Sequence, residues 1–194
     1  GSLVLGSTPC GLNAARGGRG LQGFRRGGRG RTRAERNRQP AEDLSRPLGP
    51  AFLGALSAHT HREAHTIDML CVASPRSGRP GITLSPEPDL AHPRITRAMR
   101  YRDDVRAWRA DGGIVLVGRG VASRWEVAIE VDPGYRGHGL GRALASAARH
   151  LVPGGRPLWA QIAPANAASV RAFLAAGFRP AGAEALLTHG ERGV

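Results

Sequence analysis

The chain contains no lysine: all 28 of its Lys/Arg positions are arginine, set against 15 acids for a net charge of +13. A Walker-type phosphate loop needs Gly-Lys-Ser/Thr, so that class of nucleotide site is excluded. Only two cysteines occur, Cys10 and Cys71, in unrelated segments. They make neither a metal-ligand spacing nor a disulfide framework. No apolar run approaches the roughly 18 residues of a membrane span, and Ser2-Leu-Val-Leu-Gly is too short for a signal-peptide core. Membrane association is therefore not expected, and a cytoplasmic location is. His59, His61 and His65 fall at i, i+2, i+6, which does not place three ligands on one helical face, and Glu63 is the only acid beside them. No metal site is expected.

What is abundant is glycine (28), proline (14) and arginine, in 194 residues of which 41% are hydrophobic. That length suits one domain with a real core. Arginine without lysine, alongside abundant Ala and Gly, reads as the habit of a GC-rich coding sequence. A basic chain still attracts polyanions, but specific nucleic-acid binding is not expected.

Up to Gln39 there are nine arginines and one acid, Glu35, so eight of the thirteen net positive charges sit in the first forty residues. Gly1-Ser2, standing where an initiator methionine would, is expected to be a tag remnant. Such a segment buries too little apolar surface to offset chain ordering. Residues 1–45 are therefore expected to be a disordered Arg/Gly-rich leader, and 46–194 the folded domain. Phe24-Arg-Arg-Gly-Gly-Arg-Gly-Arg31 has the composition of tracts that contact RNA, but with a single aromatic it is expected to be an extension without a role, RNA contact being the alternative.

Along the domain, Phe52, Leu53 and Leu56 fit a short helix and Ile67–Ala73 a strand. Residues 74–93 read as a long connection, and 92–109 as one amphipathic helix with Ile95, Met99, Arg102 and Val105 in a stripe. Ile114–Val117 and Trp125–Val131 form an expected antiparallel hairpin, the first strand apolar enough to be interior. Ala183–Leu187 is a final strand.

The informative stretch follows the second of those strands. Asp132-Pro133-Gly134 turns the chain, and Tyr135-Arg-Gly-His-Gly-Leu-Gly-Arg-Ala-Leu144 leads into a helix with apolar Leu140, Ala143, Leu144, Ala147, Ala148 and Leu151. Strand, glycine loop and helix present unpaired N–H groups and the positive end of the helix dipole, which suit a phosphate or diphosphate; Arg136 and Arg142 would add charge. A dinucleotide fingerprint fails in both registers, because its third glycine would fall on Arg142 or Leu144. The helix returns to a strand at Leu158 that would run parallel to Trp125–Val131. Then comes Asn166-Ala-Ala-Ser-Val-Arg-Ala-Phe-Leu-Ala-Ala-Gly177-Phe178, a helix with Asn166 as N-cap and Gly177 at C′, which places Phe173 and Phe178 at the contact positions of a Schellman ending.

Arg136-Gly-His-Gly139-Leu-Gly141 resembles the pyrophosphate loop of the GNAT superfamily of acyl-CoA-dependent N-acyltransferases. The Asn166–Phe178 segment, about thirty residues on, resembles that superfamily's second signature. The resemblance covers about residues 113–187. It implies an α/β fold with a central mixed sheet, helices on both faces, and splayed strands forming a coenzyme A slot. It further implies acetyl-CoA as cosubstrate and an amine acceptor, in a monomer or homodimer. Ile129, Glu130 and Val131 would pair with the pantetheine arm, and Arg136, Gly137, His138, Gly139, Leu140, Gly141 and Arg142 would hold the diphosphate. Asn166 and Phe173 would adjoin the arm. Glu130 and Glu126, on one face of the strand, are the candidate general bases. The sequence departs from the family where many members carry a tyrosine that protonates the leaving thiolate: that position is Phe173. Room for a single closing strand, where the family has two, leaves the covering of the C-terminal edge in question.

Overall fold

The computed structural model describes residues 3–8, 11–16 and 48–188. The chain divides into two units, residues 67–182 and residues 1–66 with 183–194.

Residues 67–182 are built about one strand. Gly113-Ile-Val-Leu-Val-Gly118 is buried throughout, and a strand apolar on both faces must be covered on both. Val115 and Val117 pack with Leu144, Ala145, Ala148 and Phe173; Ile114 and Leu116 pack with Ile95 and Ala98. Helices therefore lie on both faces of a mixed sheet.

In chain order this unit contains the 67–73 part of β3 (Glu63–Ala73), β4 (Ser85–Pro86), α2 (Pro93–Met99), β5 (Asp103–Ala110), β6 (Gly113–Arg119), β7 (Trp125–Val131), α3 (Leu140–Ala148), β8 (Leu158–Ile162) and α4 (Ala167–Ala175). The strand order is β3-β8-β7-β6-β5-β4. The hairpin expected from sequence is present, with β6 and β7 antiparallel from Gly113↔Val131 to Arg119↔Trp125. β8 is parallel to β7, and β3 flanks β8 antiparallel from Met69↔Ile162 to Ala73↔Leu158. A strand from the N-terminal side thus fills the place beside β8.

The single helix expected over 92–109 is corrected. α2 begins at Pro93, capped by His92 Nδ1 accepting the Arg94 N–H (3.3 Å), and stops at Met99. Its last turn tightens as the Tyr101 N–H bonds Ala98 O, Asp104 takes a left-handed φ of 52°, and the chain continues as β5. Met99, on the supposed buried stripe, is 54% exposed. Val105-Arg-Ala-Trp108 alternates as readily as it spirals, and the ladder to β6 decides for the strand.

The other unit contains β1 (Leu3–Thr8), β2 (Gly11–Arg16), α1 (Pro50–Thr60), the start of β3, and the end of β9 (Arg179–Thr188). In α1, Leu53 and Leu56 are buried against Ala185 and Leu187. Part of the leader expected to lack structure is therefore strand. β1 and β2 form a hairpin, and β1 pairs with β9 from Leu3↔Leu187 to Ser7↔Ala183, which covers an edge of the final strand. The Arg/Gly tract at 24–31 lies outside the described residues. His59 ends α1, His61 follows it at φ 52°, and His65 Nε2 meets Thr188 Oγ1 at 2.8 Å. Among the described residues no three His, Cys, Asp or Glu side chains cluster as metal ligands. No described helix is long and apolar enough to cross a membrane.

Candidate functional site

Parallel strands β7 and β8 pair at Trp125↔Leu158 and Glu126↔Trp159, and their ladder goes no further. From Val127 onward the two strands part. Beside that opening lies a cavity of about 650 Å³, walled by the end of β7, the loop after it, and the starts of α3 and α4.

The loop is shaped by its glycines. Gly137 and Gly139 take φ of 84° and 85°, a region costly for residues with a Cβ. Gly139 is the N-cap of α3 and supplies no side-chain acceptor, and the first turn holds no acid. The Ala143 N–H bonds Gly139 O at 3.1 Å, so the N–H groups of Leu140, Gly141 and Arg142 have no acceptor within the helix. Gly141 faces Ala172 and Val131, where an added Cβ would make ordinary contacts at 3.5 and 3.7 Å. Arg136 Nε reaches back to Val131 O (3.2 Å).

On the far wall Asn166 Oδ1 accepts the Ser169 N–H at 3.1 Å, the cap expected from sequence. α4 ends as a full Schellman motif. The Phe178 N–H bonds Phe173 O (3.1 Å) and the Gly177 N–H bonds Leu174 O (3.0 Å), with Gly177 at φ 86°. The Phe173 and Phe178 rings meet edge to face at 5.0 Å.

Most residues singled out for the cofactor line this one cavity: Ile129, Glu130, Val131, Arg136, Gly137, Gly139, Leu140, Gly141, Arg142 and Asn166. Two do not. His138 lines a different cavity, and Phe173 is buried in the core. The wall also includes Arg94, Tyr135, Ser169 and Arg171, which sequence reasoning passed over. Tyr135 and Arg171 stand inside the two quoted motifs and were within reach; Arg94 comes from α2, far away in sequence.

The two candidate bases differ sharply. Glu126 is buried, with Oε2 held by Arg102 Nε (3.0 Å) and Oε1 by Arg124 Nη2 (2.9 Å). Glu130 is on the cavity wall, bound by Arg94 Nε at 2.6 Å. That hydrogen bond holds the Glu130 carboxyl below the usual carboxylate range, against partial burial that would raise it. Tyr135 donates to Asp111 Oδ1 (3.0 Å), which pushes its phenol upward.

Residues 92–178 match the family model described as "Acetyltransferase (GNAT) family". No curated protein matches. Solved structures similar to this chain include a GCN5-related N-acetyltransferase from Kribbella flavida, at 18% identity and TM-score 0.46, over 69% of this chain and 62% of that one. A GCN5-related N-acetyltransferase from Sphaerobacter thermophilus matches at 12% and 0.45, over 71% and 55%. A tandem GNAT protein from the clavulanic acid biosynthesis pathway matches at 18% and 0.45, over 77% and 59%. The chain thus spans less than two thirds of each of those chains. The glycine loop and the Asn166 helix both lie inside the stretch that matches the GNAT acetyltransferase model, which is less than half of the chain.

Proposed function

We propose that the protein is an N-acetyltransferase that moves an acetyl group from acetyl-CoA to a primary amine, and that the cavity beside β7 takes the coenzyme. One observation carries this reading: where β7 and β8 part, the cavity meets a helix N-terminus without a capping side chain or an acid. Four arginines and a single carboxylate share its wall. That donor set suits a diphosphate. Arg136, Arg142 and the first-turn amides of α3 would hold it, with Arg171 adding charge and Asn166 facing the arm.

Bound acetyl-CoA supplies a thioester acetyl group; the chain must deliver a neutral amine to it. An alkyl amine is protonated at pH 7, so a base is required, directly or through water. Glu130 is the carboxylate on the wall, and the Arg94 hydrogen bond holds it below the usual carboxylate range. The same bond makes it a weak base, so proton transfer goes through water or follows displacement of Arg94. Glu126 suits a different task, ordering Arg102 and Arg124 beneath the strand. A main-chain N–H near Val131 would stabilise the oxyanion. With Phe173 unable to donate, water protonates the departing thiolate.

A second reading has support of its own. The buried Phe173 and the tethered Glu130 also fit a GNAT-shaped module that binds CoA without turnover. Thiol release from acetyl-CoA across a panel of amines separates the two. Release with at least one amine supports the enzyme; CoA binding without release across the panel supports the module.

A further inference from the structure

A second cavity, of about 600 Å³, runs along another flank of α3 and is bounded by the segment that follows β3. That segment is fastened to the helix end. The Arg76 N–H bonds Arg149 O (2.8 Å), Arg76 Nη1 donates to Ser146 Oγ (3.2 Å), and His150 Nδ1 meets Gly78 O (3.1 Å). The wall carries Arg76, His138, Arg142 and His150, the Ser146 hydroxyl, and no carboxylate. Among the described residues no ion pair engages Arg76, Arg142 or the adjacent Arg149. Arg149 itself is pushed down by burial and then by the charge of Arg76, as crowded like charges require.

A concave surface of one sign focuses its field and concentrates counter-ions. Guanidinium forks match the oxygens of a phosphate, and Ile82, Ala143 and Ala147 offer an apolar wall beside them. We infer that this groove is a separate binding site for a small phosphomonoester, its phosphate taken by Arg76 and the Ser146 hydroxyl and its apolar body laid against Ile82. The site accounts for His138, which the glycine-loop motif includes but the first cavity does not. It stands whether or not the first cavity takes coenzyme A, although Gly139, Leu140 and Arg142 line both.

The test is a titration of the full chain with phenyl phosphate, read by calorimetry and by amide NMR shifts. Binding should move the amides of Ile82, Ser146 and Ala147. Arg76→Gln should weaken it by about tenfold or more, as loss of a charge-assisted fork does, while Arg171→Gln, confined to the other cavity, leaves it within about twofold. Should Arg76→Gln fail to fold by circular dichroism, Ser146→Ala, which lies in this groove alone and keeps a helix-forming residue, is read instead, with a loss of about fivefold expected. The inference is overturned by absence of saturable binding, by equal affinities in wild type and the folded variant, or by shifts confined to 166–172. CoA titrated into a parallel sample keeps the two claims apart: its failure to bind would sink the coenzyme reading alone.

Discussion

Glu126 and Glu130 are two residues of one type on one face of one strand, and their neighbours give them opposite prospects. Glu126 satisfies two guanidinium groups whose side chains are 14% and 15% exposed. Removing one partner of a buried pair leaves the other charge uncompensated. Glu126→Ala should therefore cost about 3–5 kcal/mol in urea denaturation; a loss below about 1 kcal/mol, the range of an exposed pair, would show that the pair is not structural. Glu130 and Arg94 are more than a third exposed, so Glu130→Gln should barely change stability while acyl transfer falls. The lowered Glu130 carboxyl stabilises the fold above the usual carboxylate range, and that contribution disappears as pH falls through the lowered value. Arg94→Gln should return the Glu130 titration upward, toward the ordinary range, in carboxyl ¹³C NMR. An unmoved titration would contradict the assigned cause. Alternation in the sequence was enough to place both glutamates on one face. Two of their three arginines were not legible, because Arg94 and Arg102 reach β7 only through sheet and helix packing that joins residues 24 to 36 apart.

At the scale of elements, legibility followed the range of the determining contacts. α4 was readable to the residue, since Asn166 and Gly177 act on groups three to five positions away. Gly177→Ala tests that: a left-handed φ costs a Cβ residue about 1–2 kcal/mol, and the new methyl would stand 2.8 Å from Arg149 Nη1. A lowered melting temperature with the fold intact is expected; an unchanged one would mean that the motif contributes nothing. The 92–109 segment shows the opposite case. Its stripe satisfied helical spacing, but β5 exists because β6 needs a partner, and no local signal near Asp104 announces the break. The glycine loop lies between these cases. Its backbone was legible from spacing, whereas the assignment of His138 to another cavity depended on which flank of α3 it would face.

At the scale of the whole molecule, the two ends of the chain meet in the ladder of β1 with β9. A six-residue strand whose partner lies some 180 positions away leaves almost no periodic trace, so the leader read as unstructured. The ladder also alters how the basic tract should be probed. Deleting 17–40 spares β1 and β2, and it should leave CoA affinity unchanged while removing any retention of RNA in a gel-shift assay. Persistent RNA retention would place that binding in the rest of the chain. The central claim is that main-chain amides at the start of α3 hold the diphosphate of an acyl carrier, and calorimetric titration with CoA and with pantetheine, which lacks the diphosphate, tests it most directly. The account predicts saturable CoA binding, pantetheine weaker by about a hundredfold or more, and a comparable loss of CoA affinity in Gly139→Glu, read only once circular dichroism shows the variant folded, because the φ of 85° strains any residue with a Cβ there although nothing lies within 4 Å of it. Equal binding of pantetheine and CoA, or undiminished CoA affinity in Gly139→Glu, would contradict it.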